Sequence, residues 1–269
     1  MWRELPFLLV LALVLALVLK ATLVQAFSIP SESMEKTLHG CDGCQGDRVL
    51  VNKVVYRFRG IHRGEIVVFN GSDLWAKEGG EVTTKDRGTF GSAMHEIGVF
   101  FGVASDDKDY IKRVIGLPGD RVMCCSPAGN VVVTPPHGQP HELHEPYVFN
   151  DSEDQNKYFC AAGEGQATCP PGAQGVLVPK NRIFVLGDHR SDSADSRYPA
   201  HFTDPYHGTI SEKKVVGRAF LVVWPPKRWK TLPVPSAFTS AAGRGVDLLG
   251  GTALALPVVW LRRRRLTRS

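Results

Sequence analysis

Leu5 to Phe27 is an apolar segment too long for an ordinary core element, with an uninterrupted centre from Leu8 to Leu19. As a helix its 23 residues rise about 34 Å, enough to cross a hydrocarbon layer of about 30 Å. Lys20 lies toward the far end, where a long side chain reaches the interface. The competing expectation is a cleaved secretory signal, since the apolar centre is short and Val24-Gln25-Ala26 resembles a small-residue cleavage site. A short polar run, Pro30-Ser31-Glu32-Ser33-Met34, begins a few residues past the segment, which puts a serine hydroxyl at the membrane surface.

Val246 to Leu261 is a second, weaker span of 16 residues, interrupted by Asp247, two glycines and Pro257. It reaches only about 24 Å as a helix, but four consecutive arginines, Arg262 to Arg265, follow it directly, as after a stop-transfer segment. Two spans place both termini in the cytoplasm and residues 28 to about 240 outside, in agreement with the positive-inside rule and with Arg3. The net charge of +5 sits in that tail: without its five arginines, 27 basic residues face 27 acidic ones. A nucleic-acid binder needs a basic face on its folded part, and none is indicated. Six cysteines in an exported chain point to disulfides. Cys160 and Cys169 bracket a short loop and are the first pair to expect, while Cys41 and Cys44 bond to each other or to Cys124 and Cys125. A zinc site built on Cys41-x-x-Cys44 is the alternative, disfavoured because no second spaced CxxC accompanies it.

The body reads as strands and turns. Arg48 to Tyr56, Gly64 to Phe69, Tyr110 to Ile115, Ile183 to Leu186 and Val215 to Val223 are short β-branched or aromatic runs. Gly46-Asp47, Leu117-Pro118-Gly119-Asp120 and Gly187-Asp188 punctuate them. A mainly β domain over 28–235 follows, with insertions at about 71–109 and 123–182, both read as variable loop decoration, with covers or binding surfaces as the alternative. Around it stand an N-terminal transmembrane anchor over 1–27, a linker and second transmembrane segment over 236–261, and a basic cytoplasmic tail over 262–269.

A serine hydroxyl is a poor nucleophile until a neighbouring uncharged base takes its proton. Lysine serves only where burial disfavours its ammonium form. Lys112 lies inside an apolar strand-like run, and period-two alternation groups it with Tyr110 and Val114, opposite Ile111, Arg113 and Ile115. On a core-facing side it is desolvated as that chemistry requires; on an edge strand it points to water. A histidine base from His189 is the rival, and explains fewer residues. His137, His141 and His144 lack the helical spacing of a zinc protease and follow Pro135-Pro136, so they read as a solvated loop.

Four segments together resemble the sequence boxes of bacterial type I signal peptidases, in that family's order and behind a membrane segment. Ile29 to Leu38 is similar to the serine box, Gly46 to Val51 to the strand after it, Tyr110 to Asp120 to the lysine box, and Gly187 to Arg197 to the last box. The resemblance implies an antiparallel β-sheet catalytic domain and a serine endopeptidase that removes signal peptides after small residues at −1 and −3. Ser33 would be its nucleophile and Lys112 the general base. Ser193 would orient the amine, and the Ser33 N–H with the Ser31 hydroxyl would form the oxyanion hole. Asp195 and Arg197 would form a supporting ion pair. Phe27, Ile29, Pro30, Met34, Leu38, Tyr110 and Ile111 would contact substrate. No cofactor and no metal are implied; the partners are signal-peptide-bearing preproteins and membrane lipid, and the place is the cell membrane with the catalytic domain outside.

The chain departs from the family pattern at Glu32, where glycine is usual, at Lys36, where proline is usual, and at His189 and Asp192, commonly asparagine. None of these removes a catalytic group. Two rival functions stand beside this reading: a serine-lysine protease of another task, such as self-cleavage or pilus-protein maturation, and a non-catalytic exported β domain.

Overall fold

The computed structural model describes Leu11 and residues 23–41, 43–71, 109–149, 175–197, 206 and 208–241. The apolar segment before residue 23, most of the 71–109 insertion, Cys160, Cys169, the second apolar segment and the arginine tail lie outside them. Among the described residues no helix is long and apolar enough to cross a membrane.

The β-branched runs form the strands their composition favours. In chain order these are β1 (Val24–Ser28), β2 (Arg48–Asn52), β3 (Ile66–Asn70), β4 (Asp109–Gly116), β5 (Arg121–Cys124), β6 (Val131–Thr134), β7 (His141–Glu142), β8 (Val176–Leu177), β9 (Arg182–Leu186), β10 (Ile210–Ser211), β11 (Val215–Trp224) and β12 (Lys230–Thr231). Every pairing among them is antiparallel. The larger sheet runs β1-β2-β11-β3-β4-β9-β10, with β12 also on β11, and the smaller runs β7-β6-β5-β8.

Two expectations change here. The apolar run does not continue to Phe27 as anchor: Val24 to Ser28 is a strand, in register with β2 from Val24–Asn52 to Ser28–Arg48. Lys20 and Thr22 precede the strand, but a lysine near the end of a span is also expected at the interface, and hydrophobicity alone does not separate strand from helix. The 123–182 segment is not mere decoration either. It supplies β6, β7, β8 and the end of β5, so the smaller sheet is built largely from it.

Three apolar clusters hold the fold. One joins Phe27, Ile29, Met34, Leu38, Val49, Val51, Ile66 and Val68 across β1, β2 and β3. A second packs Val67, Phe69, Val114 and Val185 on the opposite face of β3. The third joins the small sheet, through Val122, Val131 and Val133, to Ile115, Phe184 and Leu186. Alternation along β4 is obeyed: Tyr110 and Val114 belong to the second cluster, and Ile111 packs against the first. Lys112 sits in this strand opposite Val67 and is 4% exposed.

Candidate active site

Pro30 forces an extended approach at Ile29, and Ser31 follows with φ −128° and ψ 161°. The chain then tightens into a single 3-10 turn, Glu32–Met34, closed by the Glu35 N–H donating to the Glu32 carbonyl at 2.9 Å. Met34 and Leu38 are fully buried in the first cluster and pin the far side of this turn, leaving Ser33 at its centre. Glycine backs the loop on two sides. A Cβ at Gly40 would lie 2.6 Å from the Ser31 carbonyl oxygen, and one at Gly187 would lie 2.4 Å from that of Ser33 and 2.2 Å from Ser193 Oγ. Only residues without a side chain allow these backbones so close.

Lys112 Nζ lies 2.6 Å from Ser33 Oγ, bridging 79 positions of sequence. Ser31 Oγ lies 3.3 Å from the same hydroxyl. Burial is the main influence on the Lys112 amine and pushes it down to about 8 from 10.5. The carboxylates of Asp195, Asp188 and Asp192 oppose that fall, because they favour the ammonium. Serine hydroxyl, desolvated amine and a second hydroxyl in reach are the elements of a nucleophile, its base and an oxyanion donor.

A shell of buried ion pairs surrounds this trio. Asp195 takes Arg197 Nε at 2.9 Å and Nη2 at 2.8 Å, and accepts the Gly187 N–H at 3.0 Å. Burial works against the Asp195 carboxylate, yet Arg197 and these hydrogen bonds hold it below its ordinary range. Arg197 Nη2 also donates to the Arg190 carbonyl at 2.6 Å. Asp188 takes Arg113 through two bonds of 2.8 and 2.6 Å and the Thr37 hydroxyl at 2.5 Å. The Arg113 guanidinium lies 4.1 Å from the Tyr147 ring centroid. Arg190 is held by Glu145 at 2.6 and 3.0 Å and donates to the Gly187 carbonyl at 2.9 Å.

The residues that the resemblance names fall in several places. Ser193 Oγ is buried without a hydrogen-bond partner among the described residues, so its expected bond to the Lys112 amine is not formed. Phe27, Ile29, Met34, Leu38 and Ile111 gather in one apolar cluster, but Pro30 is exposed and Tyr110 stacks on Phe69 at 5.9 Å in another. Sequence reading missed Arg113, Asp188, Glu145, Tyr147, Gly187 and Arg190 as site-forming residues. Arg113 stands beside Lys112 and Asp188 beside Gly187 inside quoted boxes, whereas Glu145 and Tyr147 carried no local signal.

The Cys41 sulfur lies against that of Cys44, and the Cys124 sulfur against that of Cys125. The two sets are not joined to each other, which was one of the expected alternatives; His39 lies with Cys41 and Cys44 in a group whose donor atoms are within 4.8 Å of one another.

Comparison with known proteins gives one family. The model of the signal peptidase family, peptidase S26, matches residues 2–224. A signal peptidase I of Mycobacterium tuberculosis (strain CDC 1551 / Oshkosh) is 39% identical over 236 residues, covering 84% of this chain and 74% of the relative. A probable signal peptidase I of Mycobacterium leprae (strain TN) is 36% identical over 238 residues, covering 84% and 77%. Among solved structures, a signal peptidase I of Enterococcus faecalis V583 is similar at 18% identity and a TM-score of 0.30, covering 60% of this chain and 97% of that one, too slight a likeness to bear on the fold.

Proposed function

The chain belongs to the signal peptidase family, peptidase S26, and from that membership we infer that it is a serine endopeptidase removing signal peptides from preproteins, with Ser33 as nucleophile and Lys112 as its base. The observation that carries the residue assignment is the 2.6 Å contact between a buried amine and a hydroxyl. With its amine pushed down to about 8, about a tenth of Lys112 is neutral at pH 7, against less than a thousandth for an ordinary lysine.

The mechanism follows from these groups. Neutral Lys112 takes the Ser33 proton as Oγ attacks the scissile carbonyl carbon. The negative charge that develops on the carbonyl oxygen is met by the Ser33 N–H and the Ser31 hydroxyl. Protonated Lys112 then gives its proton to the leaving amine, and the acyl-enzyme forms. Water, deprotonated by the same amine, attacks the ester and frees Ser33. Ser193, whose buried hydroxyl has no partner among the described residues, takes up the amine when it turns from Ser33 during the cycle. Asp195 and Arg197 brace the last box against the nucleophile loop.

The substrate segment adds as a strand beside the catalytic sheet, its main chain supplying affinity. Small side chains at −1 and −3 enter pockets floored by the cluster of Phe27, Ile29, Met34, Leu38 and Ile111, and larger ones are rejected by overpacking. The apolar segment before Val24 anchors the enzyme, the domain over 28–235 stands outside, and the segment ending at Leu261 with its arginines returns the chain to the cytoplasm. Anchoring confines enzyme and substrate to one surface and raises their effective concentration. The test is to incubate the purified full chain with a preprotein and sequence the new N-terminus. Cleavage after small residues at −1 and −3, together with acylation of Ser33 by a serine-directed probe, is expected. An unlabelled Ser33 with intact preprotein overturns the assignment.

A further inference from the structure

The stretch between the Ser33 turn and β2 carries three residues that the proteolytic reading leaves without a task. They are His39, Cys41 and Cys44, and a donor atom from each lies within 4.8 Å of the others. We propose that these three, with both sulfurs as thiolates, bind a thiophilic divalent metal ion, zinc above all, at the outer end of the nucleophile loop. A second CxxC, whose absence from the sequence spoke against zinc, is not required, because the third ligand is a histidine two residues before the first cysteine.

The imidazole is set up as a ligand. His39 Nδ1 meets the Glu35 carboxylate, and since that group only accepts, the ring proton belongs on Nδ1. Nε2 is then a lone pair, and it faces Cys44 Sγ at 3.9 Å. A carboxylate on the other nitrogen is a usual partner of a metal-bound histidine: it fixes the tautomer and makes the ligand more basic. A disulfide between the sulfurs makes no use of that lone pair, whereas an ion among the three atoms does. The backbone holds the residue in place: the His39 N–H donates to Asp47 Oδ2 at 2.9 Å, and its carbonyl accepts the Asp47 N–H at 2.7 Å.

Zinc bonds of about 2.3 Å to sulfur and about 2.0–2.1 Å to nitrogen put tetrahedral ligands roughly 3.6–3.8 Å apart, close to the 3.9 Å between Nε2 and Sγ. The two sulfurs lie against each other, and Cys44 is exposed, so its side chain has room to open to that spacing. On binding, each thiol releases its proton to water and gives a sulfur lone pair to the ion. Two thiolates and an imidazole favour zinc over calcium or magnesium, whose ligands are oxygens. Water completes the fourth position. Joining the sulfurs as a disulfide removes two electrons and both thiolates, so the oxidised and metal-bound forms exclude each other. Gly40 lies between the ligands and backs the nucleophile loop, a Cβ there falling 2.6 Å from the Ser31 carbonyl oxygen. An ion held by residues 39, 41 and 44 therefore stiffens that loop from outside.

The test uses the full chain in detergent, reduced with a phosphine, freed of metal and kept from air. It is titrated with cobalt(II) chloride, a coloured stand-in for zinc. Thiolate-to-cobalt charge-transfer absorption with intense tetrahedral bands is expected, saturating at micromolar concentration and erased by added zinc chloride. Cys44→Ser should abolish the signal, and His39→Asn should weaken binding by about tenfold or more. Glu35→Ala should weaken it about tenfold by acting through the imidazole, while Cys124→Ser leaves it unchanged. Diamide, which takes two electrons and two protons as it joins the sulfurs, should prevent binding. Absorption that does not develop at micromolar cobalt, that survives undiminished in Cys44→Ser or His39→Asn, or that is lost in Cys124→Ser overturns the site. A spectrum and affinity untouched by Glu35→Ala overturn the part given to its carboxylate. Binding is read without substrate, so failure of the protease assignment leaves this measurement standing.

Discussion

The nucleophile region and the shell around it solve opposite electrostatic problems. Around Ser33, polar groups are few and sparsely partnered: Lys112 reaches one hydroxyl, and the Ser193 hydroxyl reaches none. In the shell, Asp188, Asp195 and Glu145 each hold an arginine through two bonds. A fully satisfied lysine would stay an ammonium and could not act as a base. A half-satisfied arginine in the same interior would carry a desolvation cost of several kcal/mol. The shell is therefore rigid so that the centre need not be stable, and the carboxylates that brace the loops also limit how far the amine is deprotonated.

The sharpest way to break this contrast is at the centre. Ser33→Ala and Lys112→Ala should each lower preprotein cleavage by at least about 10³-fold, while thermal unfolding moves by no more than about 3 °C. Near-normal processing by either variant, assayed on the same preprotein, removes the dyad. Asp188→Ala strikes the shell instead. It strands the buried Arg113 guanidinium, so unfolding should be easier by about 3–5 kcal/mol, a drop of roughly 10 °C for a domain of this size. Arg113→Met added to Asp188→Ala should restore part of that loss, because no unpaired charge remains. If the double variant is no more stable than the single, the ion pair is not what the shell relies on.

Gly187 joins the two regions. Alanine there places a methyl against the Ser33 carbonyl and the Ser193 hydroxyl, and moving a nucleophile by about 1 Å costs about 10²-fold in rate. Gly187→Ala is therefore expected to lower kcat about 10²-fold with less loss of stability than Asp188→Ala. A variant with wild-type kcat would show that the Ser33 loop is not held as tightly as its contacts indicate.

What was legible in the sequence was local. The runs that became β2, β3, β4, β9 and β11 declare themselves by β-branched composition between Gly, Pro and Asp breaks, and period two groups Lys112 with Tyr110 and Val114. That grouping alone favoured solvent for the lysine, and its pairing with Ser33 came from the boxes rather than from periodicity. Glu145 and Tyr147 were not legible, because a loop rich in proline and histidine gives no hint that its acid meets Arg190, 45 residues on. Val24 to Phe27 reads as the end of an apolar helix, since hydrophobicity alone does not separate strand from helix. Nor does any residue type announce a close approach such as that of Gly187, which depends on three segments meeting.

The finest test concerns the field of the shell at the centre. Burial pushes the Lys112 amine down to about 8, and Asp192 is one of the carboxylates pulling it back up. With the neutral amine as the proposed base, cleavage should rise with pH through about 8 and level off above it. Asp192→Asn removes a charge that favours the ammonium, so the whole profile should move to lower pH. Asp192 is exposed, so solvent screening keeps the shift small, and it should fade as salt rises. Measured with a chelator present, a downward, salt-sensitive displacement ties the outer carboxylates to the amine. A profile that moves upward, or a rate that does not rise through this range, means that the group losing its proton is not Lys112.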